Sequence, residues 1–234
     1  MKIVVSTGAG VSAESGMPTY RDAGGLWESY PVMEVASHEG FVRNPALIHK
    51  FYSDMRIKLA ETIKPNAAHI GLAALERDYD VRIITQNVDD LHERGGSSSV
   101  LHLHGELMKV RSMRRPDRVY QLPCTELTGA DGLTTTIDTR DSHGDAVRPH
   151  IVFFGEDVPN FQPATELAAT ADVFVIIGTS LAVYPAAALM QYVPDGVPIF
   201  YIDPRPVAVP SYVNVIAEPA TVGVQTLTER LRAL

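Results

Sequence analysis

The sequence comprises 234 residues, of which 45% are hydrophobic and 21% charged, and its formal net charge is −8. This composition is that of a globular protein and excludes disordered, collagen-like and disulfide-scaffold classes. The negative charge argues against nucleic acid as a partner, because phosphate binding needs a concentrated positive field.

The chain contains one cysteine, Cys124. It therefore forms no intramolecular disulfide and no zinc site of four thiolates, and we expect a reducing, cytoplasmic location. The longest apolar run, Val173–Ile177, is far shorter than the roughly 20 residues of a spanning helix, so we expect no membrane segment. Gly8 and Gly10 interrupt the first apolar stretch, which suits a strand and turn better than a signal peptide.

Short runs rich in Val and Ile alternate with helical patterns along the chain. The runs that indicate buried strands are 2–5, 81–85, 173–177 and 198–202. Amphipathic spacing and capping residues predict helices over 46–61, 65–76 and 222–234. Strands separated by helices predict an α/β fold with a doubly wound, mostly parallel, Rossmann-like sheet, which binds ligands at the carboxyl ends of its strands.

Two stretches interrupt this alternation, at about 23–64 and 106–147. We interpret them as insertions that form a small module beside the sheet. The large part of this single domain would then comprise about 1–22, 65–105 and 148–234. A cleft between the two parts is the expected binding site.

A glycine-rich segment, 7–16, follows the first strand. Its small residues match the dinucleotide-binding fingerprint, in which a tight turn lets the backbone approach a pyrophosphate. A plain glycine-rich turn is the alternative. The acidic residue that usually holds a ribose about 20 residues later is missing. Asp203, at the end of the run 198–202, is a candidate for that role, unless it is an ordinary turn aspartate.

Polar residues follow two further predicted strands. Residues 86–89 offer amide and carboxylate groups that suit a carboxamide and sugar hydroxyls, although a polar turn that caps a helix has the same composition. Residues 178–180 form a small-residue turn that can meet phosphate or ribose.

Two histidines, His102 and His104, stand at alternate positions of one short run. On a strand they would share one face, which permits metal binding. Alternatively, one is a general base and the other is structural.

Together these segments resemble the sirtuin family of NAD-dependent protein-lysine deacylases. The matching segments cover nearly the whole chain in the family's order: Gly8-Ala9-Gly10-Val11-Ser12, Tyr20-Arg21-Asp22, Gln86-Asn87-Val88-Asp89, His104-Gly105, residues 148–156 and Gly178-Thr179-Ser180. The resemblance implies NAD as co-substrate and acylated-lysine proteins or peptides as partners.

The resemblance also implies roles for individual residues. The catalytic residues would be His104, Asn87 and Asp89. NAD would contact Gly8, Ala9, Ser12, Glu14, Thr19, Arg21, Asp22, Trp27, Gln86, Asn87, Asp89, Gly178, Thr179, Ser180, Asp203 and Ala220. The acylated substrate would contact Tyr52, Arg56, Phe154, Gly155, Glu156 and Val183, adding as a strand between 154–156 and the segment around Val183. Tyr20 stands where the family usually has Phe beside the nicotinamide.

In the implied reaction, the acyl-amide oxygen of a modified lysine attacks the ribose carbon that bears nicotinamide. Nicotinamide leaves and an imidate forms. His104 then accepts a proton from a ribose hydroxyl, whose oxygen attacks the imidate carbon, and hydrolysis gives free lysine and O-acyl-ADP-ribose. A neutral imidazole suits this role near pH 7.

Two other functions remain open. An NAD glycohydrolase or ADP-ribosyltransferase would use the same activated ribose with a different nucleophile. A non-enzymatic NAD sensor is disfavoured, because a binder needs no general base.

The small module departs from the family pattern. Most sirtuins hold a structural zinc there with two CxxC pairs, which align here with Ser112 and Arg115, and with about Arg140 and His143. We therefore expect no zinc. A hairpin of 119–122 with 133–137 is predicted to stabilise the module. The basic run 109–118 indicates a solvated face or, as the alternative, a site for an acidic protein segment or nucleic acid.

The predicted acyl pocket also departs from the family. Sirtuins that prefer succinyl or malonyl groups carry a Tyr-x-x-Arg pair, whose arginine binds the acyl carboxylate. Here Tyr52 matches, but Met55 fills the arginine position and Arg56 lies one residue later. We expect acetyl or other neutral acyl groups, with removal of acidic acyl groups by Tyr52 and Arg56 as the alternative.

Overall fold

The computed structural model describes residues 1–17 and 30–233, and within them nine strands form two sheets. The strands are β1 (Lys2–Thr7), β2 (Asp80–Thr85), β3 (Val100–His102), β4 (Gly105–Ser112), β5 (Val119–Gln121), β6 (Val147–Ile151), β7 (Val173–Ile177), β8 (Ile199–Ile202) and β9 (Val213–Ile216). The main sheet has the order β3-β2-β1-β7-β8-β9, and all its pairings are parallel. The second sheet is antiparallel, in the order β5-β4-β6.

Helices cover both faces of the main sheet. The helices are α1 (Gly10–Ala13), α2 (Val32–Val35), α3 (His38–Arg43), α4 (Pro45–Thr62), α5 (Ala67–Leu75), α6 (Leu91–Arg94), α7 (Phe161–Ala168) and α8 (Ala220–Leu231), with a 3₁₀ helix at Ala186–Tyr192. Ile3 and Val5 pack with α5 and α8, whereas Val4 packs with α7 and the 3₁₀ helix. Successive side chains of a strand point to opposite faces, so β1 is buried on both sides. The predicted α/β fold is confirmed.

The predicted helices and buried strands are present, with ends that differ by no more than three residues. The sequence analysis did not predict strand β9. It has four residues, and its two central ones, Asn214 and Val215, are exposed, so it shows neither a long apolar run nor clear alternation.

The predicted hairpin between 119–122 and 133–137 is wrong. β5 pairs instead with β4, with Tyr120 opposite Val110. The second segment attaches to α4 through side chains: Thr135 donates its backbone N–H to Ser53 Oγ (3.1 Å), and its hydroxyl lies 3.0 Å from His49 Nδ1. The first of these long-range hydrogen bonds satisfies the backbone N–H of Thr135, which strand pairing would otherwise bind.

Arg56 joins α4 to the same region. Its side chain is fully buried, and its guanidinium donates to Leu107 O (2.7 Å), Leu133 O (3.2 Å) and Thr135 Oγ1 (3.3 Å). Burial lowers the pKa of Arg56 to about 10, so it stays charged at neutral pH. The three acceptors hold this guanidinium between α4, β4 and the segment that follows β5.

The basic run 109–118 is mostly paired. Lys109 lies 2.6 Å from Glu106, Arg115 forms two hydrogen bonds with Asp117, and Arg118 lies 3.4 Å from Asp145. This pairing favours the interpretation as a solvated face. Among the described residues, no helix is long and apolar enough to cross a membrane.

Candidate functional site

The three central strands of the main sheet end level with one another. Thr7 of β1 lies beside Thr85 of β2 and Ile177 of β7. The loops that follow these strands therefore leave the sheet at the same edge. Together with residues of α4, the turn at 153–156 and the end of β8, they line a cavity of about 550 Å³.

Most of the site residues that the sequence analysis named line this cavity. They are Gly8, Ala9, Glu14, Tyr52, Gln86, Asn87, His104, Phe154, Gly155, Glu156, Gly178, Thr179, Ser180, Val183, Asp203 and Ala220. Ser12 and Asp89 are buried next to the lining residues and hydrogen-bonded to each other, and Arg56 is not part of the lining. Thr19, Tyr20, Arg21, Asp22 and Trp27 fall outside the described residues.

Two glycine-containing loops touch at the floor of the cavity. The N–H of Gly10 donates to Gly178 O at 2.8 Å. A Cβ atom on Gly178 would lie 2.4 Å from the nitrogen of Val11, and its φ of +61° is one that other residues rarely adopt. A Cβ on Gly8 would lie 2.8 Å from Gly178 O. Only glycine allows this approach, and it leaves backbone groups at the cavity surface.

A hydrogen-bonded wall of Ser12, Asn87 and Asp89 stands beside these loops. Asn87 Nδ2 lies 3.2 Å from both Gly8 O and Ser12 Oγ, and Ser12 Oγ donates to Asp89 Oδ2 (3.1 Å). Burial raises the pKa of Asp89 to about 6, although hydrogen bonds from Leu91 N–H and Ser12 oppose the shift. A carboxylate is thereby held in a nearly dry position.

Two buried histidines, His69 and His92, support this wall and were missed by the sequence analysis. His69 Nδ1 accepts the Asn66 N–H, so its Nε2 carries the proton that faces Ser12 Oγ at 3.4 Å. His92 Nε2 lies 3.0 Å from Thr7 Oγ1. Burial lowers the pKa of His69 to about 4 and that of His92 well below its usual value. The available signal was the capping box in which Asn66 and His69 open α5.

His104 occupies the cavity in a defined tautomer. Its Nδ1 lies 3.0 Å from Gln86 O, and because a carbonyl can only accept, Nδ1 carries the proton. The lone pair is then on Nε2. Burial lowers the pKa of His104, with the Gln86 carbonyl acting in the opposite direction. The imidazole is neutral at pH 7, the form that a general base requires.

The metal-binding alternative for His102 and His104 finds no support among the described residues. No group of three or more His, Cys, Asp or Glu side chains there could hold a metal. His102 is instead hydrogen-bonded to Glu93 and to the backbone of Asn87. β3 ends at His102, so the two histidines do not continue one regular strand.

The turn at 153–156 is held by buried charges. Arg148 donates two hydrogen bonds to Glu156 (2.6 and 3.1 Å) and lies over the ring of Phe153 at 4.2 Å. Burial alone would raise the pKa of Glu156. The hydrogen bonds and the charge of Arg148 act in the opposite direction, and the pKa is lowered overall. Phe154 pairs through its backbone with Ala36 and His38. Glu156 therefore fixes the turn, while Phe154 is exposed at the cavity rim.

The predicted contact of Arg56 with substrate needs correction. Tyr52 and Met55 of α4 line the cavity together with Ile151 and Phe153. Arg56 is absent from the lining and donates to three buried acceptors elsewhere. The inner end of the cavity is thus mainly apolar.

The far end of the cavity involves β8 and α8. Asp203 follows β8, and its Oδ1 accepts the Arg205 N–H at 2.8 Å. The carboxylate of Glu14 accepts the backbone N–H and the hydroxyl of Thr221 (3.1 and 2.8 Å), next to Ala220. Glu14 thus ties the glycine-rich segment to the start of α8.

Residues 8–185 match the Sir2 family. The chain belongs to the Sir2 family. A relative from Bacteroides thetaiotaomicron is 48% identical over 231 residues, which are 98% of this chain and 97% of the relative, and is named NAD-dependent protein deacylase.

Solved Sir2 structures share the same fold. A Sir2 homologue in complex with NAD is 35% identical with a TM-score of 0.81, over 99% of this chain and 90% of that chain. A Sir2 protein bound to an acetylated peptide is 26% identical with a TM-score of 0.77, over 97% of this chain and 92% of that chain.

Replacing Gly178 tests the contact between the glycine loops of this Sir2 protein. We expect Gly178→Ala to lower the melting temperature and to weaken NAD binding, because the new Cβ meets the Val11 nitrogen. Gly196→Ala is the matched control: Gly196 also has a positive φ (+82°) but nothing within 4 Å of the added Cβ. Strain alone costs about 1–2 kcal/mol.

Calorimetry with NAD and thermal melts of both variants provide the measurement. Equal stability and equal NAD affinity in the two variants would contradict the proposed importance of this contact.

Proposed function

We propose that this chain is an NAD-dependent deacylase that removes neutral acyl groups from lysine side chains of proteins. The observation that carries the proposal is His104, a neutral imidazole whose Nδ1 proton is bound by Gln86 O in the cavity. That cavity also contains the glycine loops and the polar 86–89 segment of the Sir2 family.

The cavity fits NAD. Gly8, Gly10 and Gly178 line the cavity where the two loops touch, and the absence of side chains there lets a pyrophosphate approach the backbone. Gln86, Thr179 and Ser180 stand on the adjoining loops, and Asp203 ends the neighbouring strand. When bound, NAD supplies a ribose carbon with a displaceable nicotinamide and an ADP-ribose that accepts the acyl group.

The chain's own residues would divide the remaining work. Asn87 and Asp89 would bind the nicotinamide ribose and carboxamide from the hydrogen-bonded wall. His104 Nε2 would take the proton from a ribose hydroxyl, since its Nδ1 is already committed to Gln86 O. The mainly apolar cavity would keep water from the reacting atoms.

The acylated peptide would add as a strand at the rim. The 154–156 segment already pairs on one side with residues 36–38, and Val183 stands across the opening. Such pairing reads the peptide backbone more than its side chains. The complex of a related Sir2 protein with an acetylated peptide supports an acylated peptide as the substrate.

Removing the His104 imidazole tests the assigned role. We expect His104→Ala to lower kcat by about 10²–10⁴-fold, the usual contribution of a general base, and to leave NAD affinity nearly unchanged. Kinetics with an acetyl-lysine peptide and calorimetry with NAD measure the two effects. Unchanged turnover would overturn the role of His104.

Acyl preference follows from the cavity lining. We expect acetyl-lysine peptides to be better substrates than succinyl-lysine peptides, because Met55 lines the cavity where an acyl carboxylate would need a cation, and Arg56 is engaged elsewhere. Met55→Arg should raise the succinyl-to-acetyl ratio of kcat/KM. A wild-type preference for succinyl that Arg56→Ala abolishes would refute this expectation.

We also propose that the chain works without structural zinc. The aligned positions do not fit the metal: Ser112 Oγ accepts the Arg115 N–H (3.3 Å), and Arg140 donates to backbone carbonyls. Of the four aligned residues only His143 is a zinc ligand type. Instead of a metal, side chains of α4 hold the small module together: Arg56, for example, donates hydrogen bonds to the backbone carbonyls of Leu107 and Leu133.

Metal analysis checks this proposal. We expect purified protein to contain far less than one zinc per chain and its melting temperature to be unaffected by a chelator. About one zinc per chain, or a chelator-induced loss of stability, would contradict it.

A cytoplasmic location and the division into a large part and a small module stay predictions.

A further inference from the structure

The loop that carries Asn87 is held by its backbone carbonyls. Gln86 O accepts from His104 Nδ1 (3.0 Å), Asn87 O accepts from His102 Nδ1 (3.0 Å), and Val88 O accepts the Leu107 N–H (2.7 Å). These three successive carbonyls lie outside any helix or strand, and all three accept hydrogen bonds from one segment, 102–107. Two of the three donors are histidine side chains.

The partners of His102 define its protonation. Nδ1 faces the Asn87 carbonyl, and Nε2 lies 2.8 Å from Glu93 Oε1. A carbonyl and a carboxylate are both acceptors, so both ring nitrogens must carry protons to satisfy them. Only the imidazolium does so, and the pair with Glu93 is a charge-assisted hydrogen bond.

The pKa values of the two neighbouring histidines, His102 and His104, are shifted in opposite directions. Burial acts against the charged form of His102, but the hydrogen bond and charge of Glu93 outweigh it and raise the pKa. Burial lowers the pKa of His104, for which the described residues provide no carboxylate partner. One histidine therefore serves as a fixed cation and its neighbour as a neutral base, an assignment set by environment alone.

The charge of His102 also reaches the buried carboxylate of the wall. Burial raises the pKa of Asp89, and the positive charge of His102 opposes that rise. The other titratable groups that act on this pair among the described residues are His92 of α6, Glu106 of β4, Lys109 through Glu93, and Asp90, whose negative charge adds to the rise in the pKa of Asp89. His92 is neutral, so His102 is the cation whose field favours ionised Asp89.

We infer that His102, held as an imidazolium by Glu93, is a positioning residue for the reaction: its charged Nδ1–H binds the Asn87 carbonyl and thereby fixes the loop that carries Asn87. The inference rests on the proposed function, in which Asn87 and Asp89 bind NAD. It assigns to Glu93 the role of a counter-ion and to His102 no contact with substrate.

Glu93→Gln removes the counter-charge while retaining the size of the side chain. We expect the His102 ring to titrate above pH 6.5 in the wild type and about one pH unit or more lower in the variant. Ring ¹H–¹³C NMR spectra report this titration, with His102→Gln identifying the resonance. The NMR result is independent of activity.

Enzyme kinetics then test the consequence. The ratio of wild-type to Glu93→Gln kcat/KM for NAD should be greatest near neutral pH, where only the wild-type imidazole is charged, and should return toward one at alkaline pH. A merely structural role would change the ratio equally at every pH. Glu166→Gln, on the exposed face of α7, removes the same charge elsewhere and should match the wild type throughout.

Each outcome decides the inference. A wild-type His102 that titrates at or below pH 6.5, or a pH-independent ratio, overturns it. A shifted titration together with a ratio that peaks near neutral pH supports it. Absence of NAD-dependent deacylation in the wild type would overturn the proposed function, and the positioning role of His102 with it, while the NMR titration would still show whether His102 is charged.

Discussion

The parallel register of β1 with its two neighbours is the constraint on which the site depends. Thr7 lies beside both Thr85 and Ile177, so three loops leave the sheet at one level. Their backbones meet closely enough to share hydrogen bonds only because Gly8, Gly10 and Gly178 carry no side chains. A one-residue change of register would separate these loops and reverse every side chain between the two faces of the strand.

The environment, more than the residue type, decides what each ionisable group of the site can do. His104 is neutral because it is buried, with no carboxylate partner in the described part of the chain, whereas His102 is charged because Glu93 is its partner. Asp89 is a carboxylate in a nearly dry wall, with a pKa of about 6. The site therefore combines a base, a fixed cation and an anion within one short stretch of chain.

Local patterns in the sequence were sufficient for the four buried strands β1, β2, β7 and β8 of the main sheet. Val- and Ile-rich runs predicted buried strands because burial on both faces needs continuous apolar side chains. The position of Arg56 was not predictable, because residues three and four after Tyr52 flank the same helix face and packing decides between them. The hydrogen bonds between Thr135 and α4 and between His102 and Glu93 likewise depend on contacts across the fold. The periodicity of apolar residues in the sequence does not predict such contacts.

The stoichiometry of the reaction products tests the account most directly. Incubation of the chain with NAD and an acetyl-lysine peptide, followed by mass spectrometry, should give nicotinamide, deacetylated peptide and O-acetyl-ADP-ribose in equal amounts. Free ADP-ribose or ADP-ribosylated protein without deacetylated peptide would instead indicate that the cavity activates NAD for another nucleophile, and would contradict the account.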